Sequence, residues 1–180
     1  MGIILNMVKE NKKNGLIVVS WILVIMWMAV IFMFSSMNSD NSSSVSKGLI
    51  GQTIKVSSEV GSKIGLIREV PDDEKMEEMV KSVHIPIRKL AHFTEYMILC
   101  FLLILALVVS KVSLKNVFWI AIGICFLYAC SDEAHQLFIN GRAGKFIDVL
   151  IDTCGGILGL FISYFGIKKV GKFKKRIAIE

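Results

Sequence analysis

The sequence has four cysteines, and they do not form the two closely spaced pairs that mark zinc sites or the framework of a secreted disulfide scaffold. It also lacks an obvious small-x-small cleavage site near its start, and its first apolar stretch is longer than the core of a signal peptide. We therefore expect the first stretch to be retained and the cysteines to act as small apolar packing residues. The cysteines are Cys100, Cys125, Cys130 and Cys154.

Long apolar stretches dominate the chain. Hydrophobic residues make up 54% of its 180 residues, which exceeds the roughly 45–50% of soluble domains. Because about 20 helical residues cross the hydrocarbon core of a bilayer, the stretches predict an all-α membrane protein with four transmembrane helices. A buried helix pair in a soluble domain is disfavoured for the second and third stretches, because the first already places the chain in a membrane. The stretches are residues 15–34, 90–109, 117–129 and 149–167.

Basic residues concentrate on one side of the predicted membrane topology. The segments on that side contain eleven lysines and arginines but only two acids. Loops rich in Lys and Arg stay cytoplasmic, so both termini are predicted to be cytoplasmic in a multi-pass protein of the cell membrane. The basic tail fits topology and attraction to anionic lipid, so no nucleic acid partner is expected. The predicted division is a cytoplasmic N-terminus at 1–14, a first span at 15–36, an extracytoplasmic amphipathic segment at 37–86, a core with spans two to four at 87–167, and a basic cytoplasmic tail at 168–180.

The predicted extracytoplasmic segment carries helical apolar spacing, with apolar residues every three to four positions between Val45 and Ile67. A second helix is predicted to begin after Pro71, because three acids follow at the positive end of the helix dipole. Pro86 is predicted to end that helix before the second span. We expect these helices to pack on the mouth of the bundle, since about 50 residues bury too little apolar surface to fold reliably alone.

Ionisable residues interrupt the second, third and fourth spans, all near the predicted outer side. A charge in the bilayer interior costs roughly 3 kcal/mol or more, so such residues usually face protein or water and are candidates for a functional site. The motifs are Arg-Lys-x-x-His-x-x-Glu-Tyr, Asp-Glu-x-x-Gln followed by Gly-Arg, and Asp-x-x-x-Asp-x-x-Gly. The predicted cluster is Arg88, Lys89, His92, Glu95, Tyr96, Asp132, Glu133, Gln136, Arg142, Asp148 and Asp152.

The acids of the fourth span share a helix face with small residues. Asp148, Asp152, Gly155 and Gly159 follow spacings of four, three and four, which places them along one stripe. Small-residue surfaces let helices approach closely. The acidic face of this span is therefore expected to point into the bundle.

These motifs resemble those of the VanZ-like family of bacterial membrane proteins over nearly the whole chain, and the Phe34-Ser35-Ser36 exit from the first span is similar as well. Asp152 stands where asparagine is common in that family. The resemblance implies a role in the cell envelope, since the family's named member is associated with low-level resistance to the glycopeptide teicoplanin. It supplies no biochemical activity, and residues 42–85 match no motif of the family.

Three interpretations of the cluster remain open. The first is a structural network in which the basic residues neutralise the acids, with Arg142 paired to an acid of the third or fourth span. The second is a pocket, with or without catalysis, for a lipid-linked cell-wall precursor or a glycopeptide, beside membrane lipid. The third is a metal site drawn from His92, Glu95, Asp132, His135 and Asp148.

Neither a metal nor a cofactor is assigned from the sequence. His135 falls off the face shared by Asp132 and Gln136, which weakens the metal interpretation. A transporter is disfavoured because four spans without an internal inverted repeat offer little basis for alternating access. Whether the protein is an enzyme is left undecided.

Overall fold

The computed structural model describes residues 2–37, 39–64, 72–140, 142 and 144–177, and the regular elements in these ranges are all α-helices. No strand occurs among them, which confirms the all-α class. The helices are α1 (Gly2–Ser35), α2 (Ser39–Lys63), α3 (Asp73–Val109), α4 (Leu114–Gln136) and α5 (Phe146–Ile177).

Four of these helices are long and apolar enough to cross a membrane, as the sequence predicts. They are α1, α3, α4 and α5, and the most apolar segment is Asn14–Ser35, with a mean hydropathy of 2.8. Helix α2 lies between the first two spans and exposes Val45, Leu49, Val56 and Val60. The chain is therefore a multi-pass membrane protein with an additional amphipathic helix.

Helix α3 is the centre of the bundle, since it contacts each of the other four helices and contacts α5 most extensively. Its residues Leu99, Leu103 and Ile104 are buried, together with Val117 of α4 and Val24 of α1. Many large apolar side chains on the outer faces of the spans are exposed, as expected where lipid rather than protein covers them. The apolar core and the lipid-facing surface thus both follow from the apolar stretches of the sequence.

Pro86 lies inside α3, so the prediction that it ends a separate helix was wrong. The helix begins at Asp73 as the run of acids indicates, and the Asp72 side chain accepts a hydrogen bond of 2.9 Å from the Lys75 backbone N–H. It then continues without a break for 37 residues. A proline removes one backbone hydrogen bond and crowds the preceding turn, yet α3 continues through Pro86, and α3 also packs against α2.

The glycine stripe of α5 explains its close contact with α3. A Cβ atom at Gly155 would overlap the backbone carbonyl of Phe93, and one at Gly159 would overlap the carbonyl of Met97. Only a residue without a side chain fits at such a distance between two helix backbones. The predicted orientation of the fourth span is therefore confirmed, and Asp152, one turn before Gly155, is directed into the bundle and buried.

Aromatic side chains attach α1 to the rest of the bundle. The Trp27 indole donates a hydrogen bond of 2.9 Å to the Glu95 backbone carbonyl of α3, and the Tyr128 hydroxyl of α4 donates one of 2.7 Å to the Met28 carbonyl of α1. Nearer the middle of α1, the Trp21 indole donates a hydrogen bond of 3.1 Å to the Ser110 hydroxyl. These bonds fix the end of α1 beside the polar motifs.

Candidate functional site

The polar motifs of three spans meet at one end of the bundle. The Ser36 hydroxyl at the end of α1 lies 3.3 Å from Nε2 of His135 at the end of α4. Lys89 of α3 forms an ion pair with Asp148 at the start of α5, with 2.5 Å between Nζ and Oδ1. The ends of α1 and α4, the start of α5 and the middle of α3 therefore surround one region, as the sequence predicts.

Ion pairs are few in this region. Among the described residues, Lys89 with Asp148 is the one pairing of a lysine or arginine with an acid at this end of the bundle. Glu133 instead accepts a 2.8 Å hydrogen bond from the Lys145 backbone N–H. A partly exposed pair contributes roughly 0–1 kcal/mol, so it does not compensate the other charges of the cluster.

Arg142 is not paired with an acid, so that prediction was wrong for the described part of the chain. Its Nη2 donates a long hydrogen bond of 3.4 Å to the Phe34 carbonyl, while Nε and Nη1 are buried and find no partner among the described residues. Burial lowers the pKa of the Arg142 guanidinium, and the nearby positive charge of Arg88 lowers it further. Gly144 lies against the Glu133 backbone, so the loop folds back and its backbone, rather than Arg142, reaches the Glu133 carboxylate.

Two aspartates are buried in the bundle without hydrogen-bond partners. Asp132 of α4 is 3% exposed and Asp152 of α5 is 1% exposed, and none of their four carboxylate oxygens has a partner among the described residues. Removing a single ionised carboxylate from water costs several kcal/mol unless an opposite charge or hydrogen bonds compensate it. A network closed by ion pairs therefore does not describe this cluster.

His92 of α3 completes a compact group with these aspartates. One ring nitrogen of His92 and one carboxylate oxygen of each aspartate lie within 4.8 Å of one another. Nδ1 of His92 is 3.7 Å from Oε2 of Glu95, and both atoms are buried without a hydrogen bond. The imidazole and carboxylate groups thus converge from three helices, although they are far apart in the sequence.

Two other residues named for a metal site lie elsewhere. His135 stacks on Phe32, with ring centroids 4.8 Å apart, and Asp148 forms an ion pair with Lys89. The third member of the group is Asp152, which the sequence predicted for the polar cluster but not for a metal site. The signal for Asp152 was the glycine stripe, because a residue one turn before Gly155 has to face α3.

The remaining cluster residues are buried among protein. Tyr96 is fully buried, with its ring 6.2 Å from that of Tyr128 and its hydroxyl without a partner among the described residues. Gln136 donates a hydrogen bond of 3.2 Å to the buried Ser35 hydroxyl. Ser35 was noticed only through the Phe-Ser-Ser exit of the first span, and the structure places it beside Gln136 on the inner side of α1.

A groove lies next to these groups, between the end of α1, helix α2 and the middle of α3. Its volume is about 250 Å³, and most of its walls are apolar, with Val45, Leu49 and Ile50 contributed by α2. Four ionisable residues also line it, which are Arg88, His92, Glu95 and Arg142. We call this space the arginine groove. The sequence predicted that helix α2 packs on the mouth of the bundle, and here α2 supplies one wall of the groove.

A protein-family model described as VanZ/LLP1 matches residues 20–167. The chain belongs to the VanZ/LLP1 family. The match includes the whole polar cluster and all four spans except residues 14–19 of the first and 168–169 of the fourth, so the resemblance found in the motifs is confirmed. A search of curated proteins and a search of solved structures found no match.

Proposed function

We propose that this VanZ/LLP1 protein acts in the cell envelope, where it binds the anionic headgroup of a lipid-linked precursor and reduces susceptibility to glycopeptides such as teicoplanin. The arginine groove is the observation that carries this proposal. Arg88 and Arg142 both line it, and neither forms an ion pair with a described acid. The family supports an envelope role in general.

The chemistry of the groove suits an amphipathic ligand. A guanidinium forms two parallel hydrogen bonds to phosphate or carboxylate, and Nε and Nη1 of Arg142 have no partner among the described residues. An anion between Arg88 and Arg142 would also offset the repulsion of these two positive charges. The apolar walls fit the first part of a lipid chain. At about 250 Å³ the space is smaller than most drug-sized pockets, so it accommodates a headgroup while the rest of the lipid stays in the bilayer.

A hydrolase or transferase acting on the same precursor is the second candidate. His92 and Glu95 both line the groove, and their side chains are 3.7 Å apart. An imidazole beside a carboxylate is a common acid–base pair, which would act on a phosphate held by the arginines. Binding of the headgroup is required in either case, so it is the step to test first.

The first prediction concerns headgroup binding. Purified full-length protein in detergent is expected to bind a polyprenyl phosphate at least tenfold more tightly than the polyprenol of the same length, measured by native mass spectrometry. Arg142→Gln should weaken binding of the phosphate at least tenfold, because one charge-assisted hydrogen bond contributes about 1.5–3 kcal/mol. Lys145→Gln is the control, since Lys145 is a basic residue of the same loop whose side chain does not line the groove. Equal binding of both lipids, or an unaffected Arg142→Gln variant, would contradict the proposal.

The proposal also requires that the groove opens on the outer side, with both termini in the cytoplasm of a bacterial cell. In a cysteine-free background, Ser43→Cys should react with an impermeant thiol reagent added to intact cells. Lys172→Cys should react only after the membrane is permeabilised. Labelling of Lys172→Cys in intact cells would reverse the topology and place the groove on the inner side.

A further inference from the structure

The buried group formed by His92, Asp132 and Asp152 is not explained by an anion-binding groove. An anion is repelled by carboxylates, and both aspartates lie deeper than the arginines. The two acids belong to different helices, α4 and α5, and His92 belongs to α3. Three helices therefore bring ligand-type atoms to within 4.8 Å of one another in a region that also contains the apolar core.

No described lysine or arginine forms an ion pair with either aspartate. Lys89 is engaged with Asp148, and Arg142 has no carboxylate within ion-pair distance. Ser35 and Gln136 lie next to the Asp132 carboxylate and share a hydrogen bond, but both side chains are uncharged. Two ionised carboxylates buried side by side destabilise a fold unless they take up protons or a cation lies between them.

We propose that His92, Asp132 and Asp152 bind one divalent cation of the first transition row, Zn²⁺ or Mn²⁺. One imidazole nitrogen and two carboxylate oxygens form a ligand set that both ions accept. Zn²⁺ binds such atoms at about 2.0–2.2 Å, so small side-chain rotations would close the present spacing around an ion. Three protein ligands leave coordination positions for water or for an oxygen atom of a ligand.

The surroundings match those of a metal site. Glu95 lies beside the His92 ring, where a carboxylate can orient a metal-bound histidine. The close contact of Gly155 with the Phe93 backbone fixes Asp152 relative to His92. Because His92 also lines the arginine groove, a bound cation would lie next to the proposed headgroup. The inference itself does not depend on which ligand fills that groove.

The test measures metal binding directly, without an activity assay. Full-length protein in detergent, with any polyhistidine tag removed, is stripped with a chelator and titrated with ZnCl₂ or MnCl₂ against a chromophoric competitor. We expect one equivalent of metal by elemental mass spectrometry and a rise in melting temperature.

Asp132→Asn and Asp152→Asn should each weaken binding at least tenfold. Asp148→Asn is the matched control, because it changes an acid four residues from Asp152 and should retain the parental affinity.

Several outcomes would overturn the inference. One is failure of the unmodified protein to take up a full equivalent of either ion. Another is equal affinity in Asp148→Asn and Asp152→Asn, which would indicate surface binding. If an aspartate variant does not fold, His92→Gln provides the same comparison, since it removes the nitrogen ligand without touching the buried carboxylates. Retained metal affinity in His92→Gln would reject the proposed site.

Discussion

Gly159→Leu is expected to prevent stable assembly of the four-span bundle. Even a Cβ atom at this position would overlap the carbonyl oxygen of Met97, which is a backbone atom of α3 and cannot rotate away. Overpacking costs typically 1–3 kcal/mol where side chains can adjust, and the loss here is expected to reach at least about 3 kcal/mol because the helices themselves must separate. The yield of monodisperse protein and its melting temperature in detergent would measure the effect.

Gly166→Leu is the matched control, because it makes the same substitution on the same helix. No atom lies within 4 Å of a Cβ placed at Gly166, so the larger side chain meets open space there. We expect parental yield and melting temperature from this variant. Comparable loss in both variants would show that leucine disturbs α5 for another reason, and comparable tolerance would show that α5 does not approach α3 as closely as described.

The sequence was sufficient to predict the spans and the inner face of α5, because the bilayer imposes strong constraints. A helix must be continuously apolar over about 20 residues to cross it, and this length is visible without any knowledge of packing. A stripe of glycines next to acids likewise indicates a helix contact, since neither group is favoured against lipid. Gly155, Gly159 and Asp152 follow this logic, and the structure places them against α3.

The partners of individual charges were less predictable. Arg142 was expected to meet an acid because charges near a membrane need compensation, but the course of its loop decides otherwise. The Lys145 backbone N–H donates a hydrogen bond to the Glu133 carboxylate, and Arg142 lines the groove instead. Pro86 is a similar case. The local preference of proline favours a helix end there, but α3 continues through it and packs against α2. Both outcomes depend on tertiary contacts between segments that are distant in the sequence.

The association of His92 with Asp132 and Asp152 also depends on helix rotation. Spacing along one helix shows which residues share a face, but it does not show which face of another helix lies opposite. His135 and Asp148 carry equally suitable ligand atoms, yet rotation of α4 directs His135 towards Phe32 of α1. The sequence's metal-site alternative named two members of this group, His92 and Asp132, while the proximity of Asp152 to both became visible only in the bundle.

Expression of this protein in a susceptible Gram-positive host is expected to raise tolerance to teicoplanin, and His92→Ala and Glu95→Gln are each expected to abolish the gain. Both side chains line the arginine groove. Nδ1 of His92 and Oε2 of Glu95 are buried without a hydrogen bond to any described residue, so replacing these side chains removes no hydrogen bond at those atoms. Glu95→Gln retains the shape of the side chain and removes only its charge and basicity. The minimal inhibitory concentration, measured alongside the amount of protein in the membrane, would separate loss of function from loss of protein.

His84→Ala and Glu78→Gln are the controls, since they make the same changes on the same helix at positions that do not line the groove. These variants should retain the full gain in tolerance. If His92→Ala and Glu95→Gln accumulate normally and also retain full tolerance, the groove has no part in the phenotype. If tolerance falls only in proportion to the amount of protein, the cluster has a structural role alone. If the unmodified protein gives no tolerance, the teicoplanin phenotype does not extend to this chain, and headgroup binding has to be judged from the lipid-binding measurement by itself.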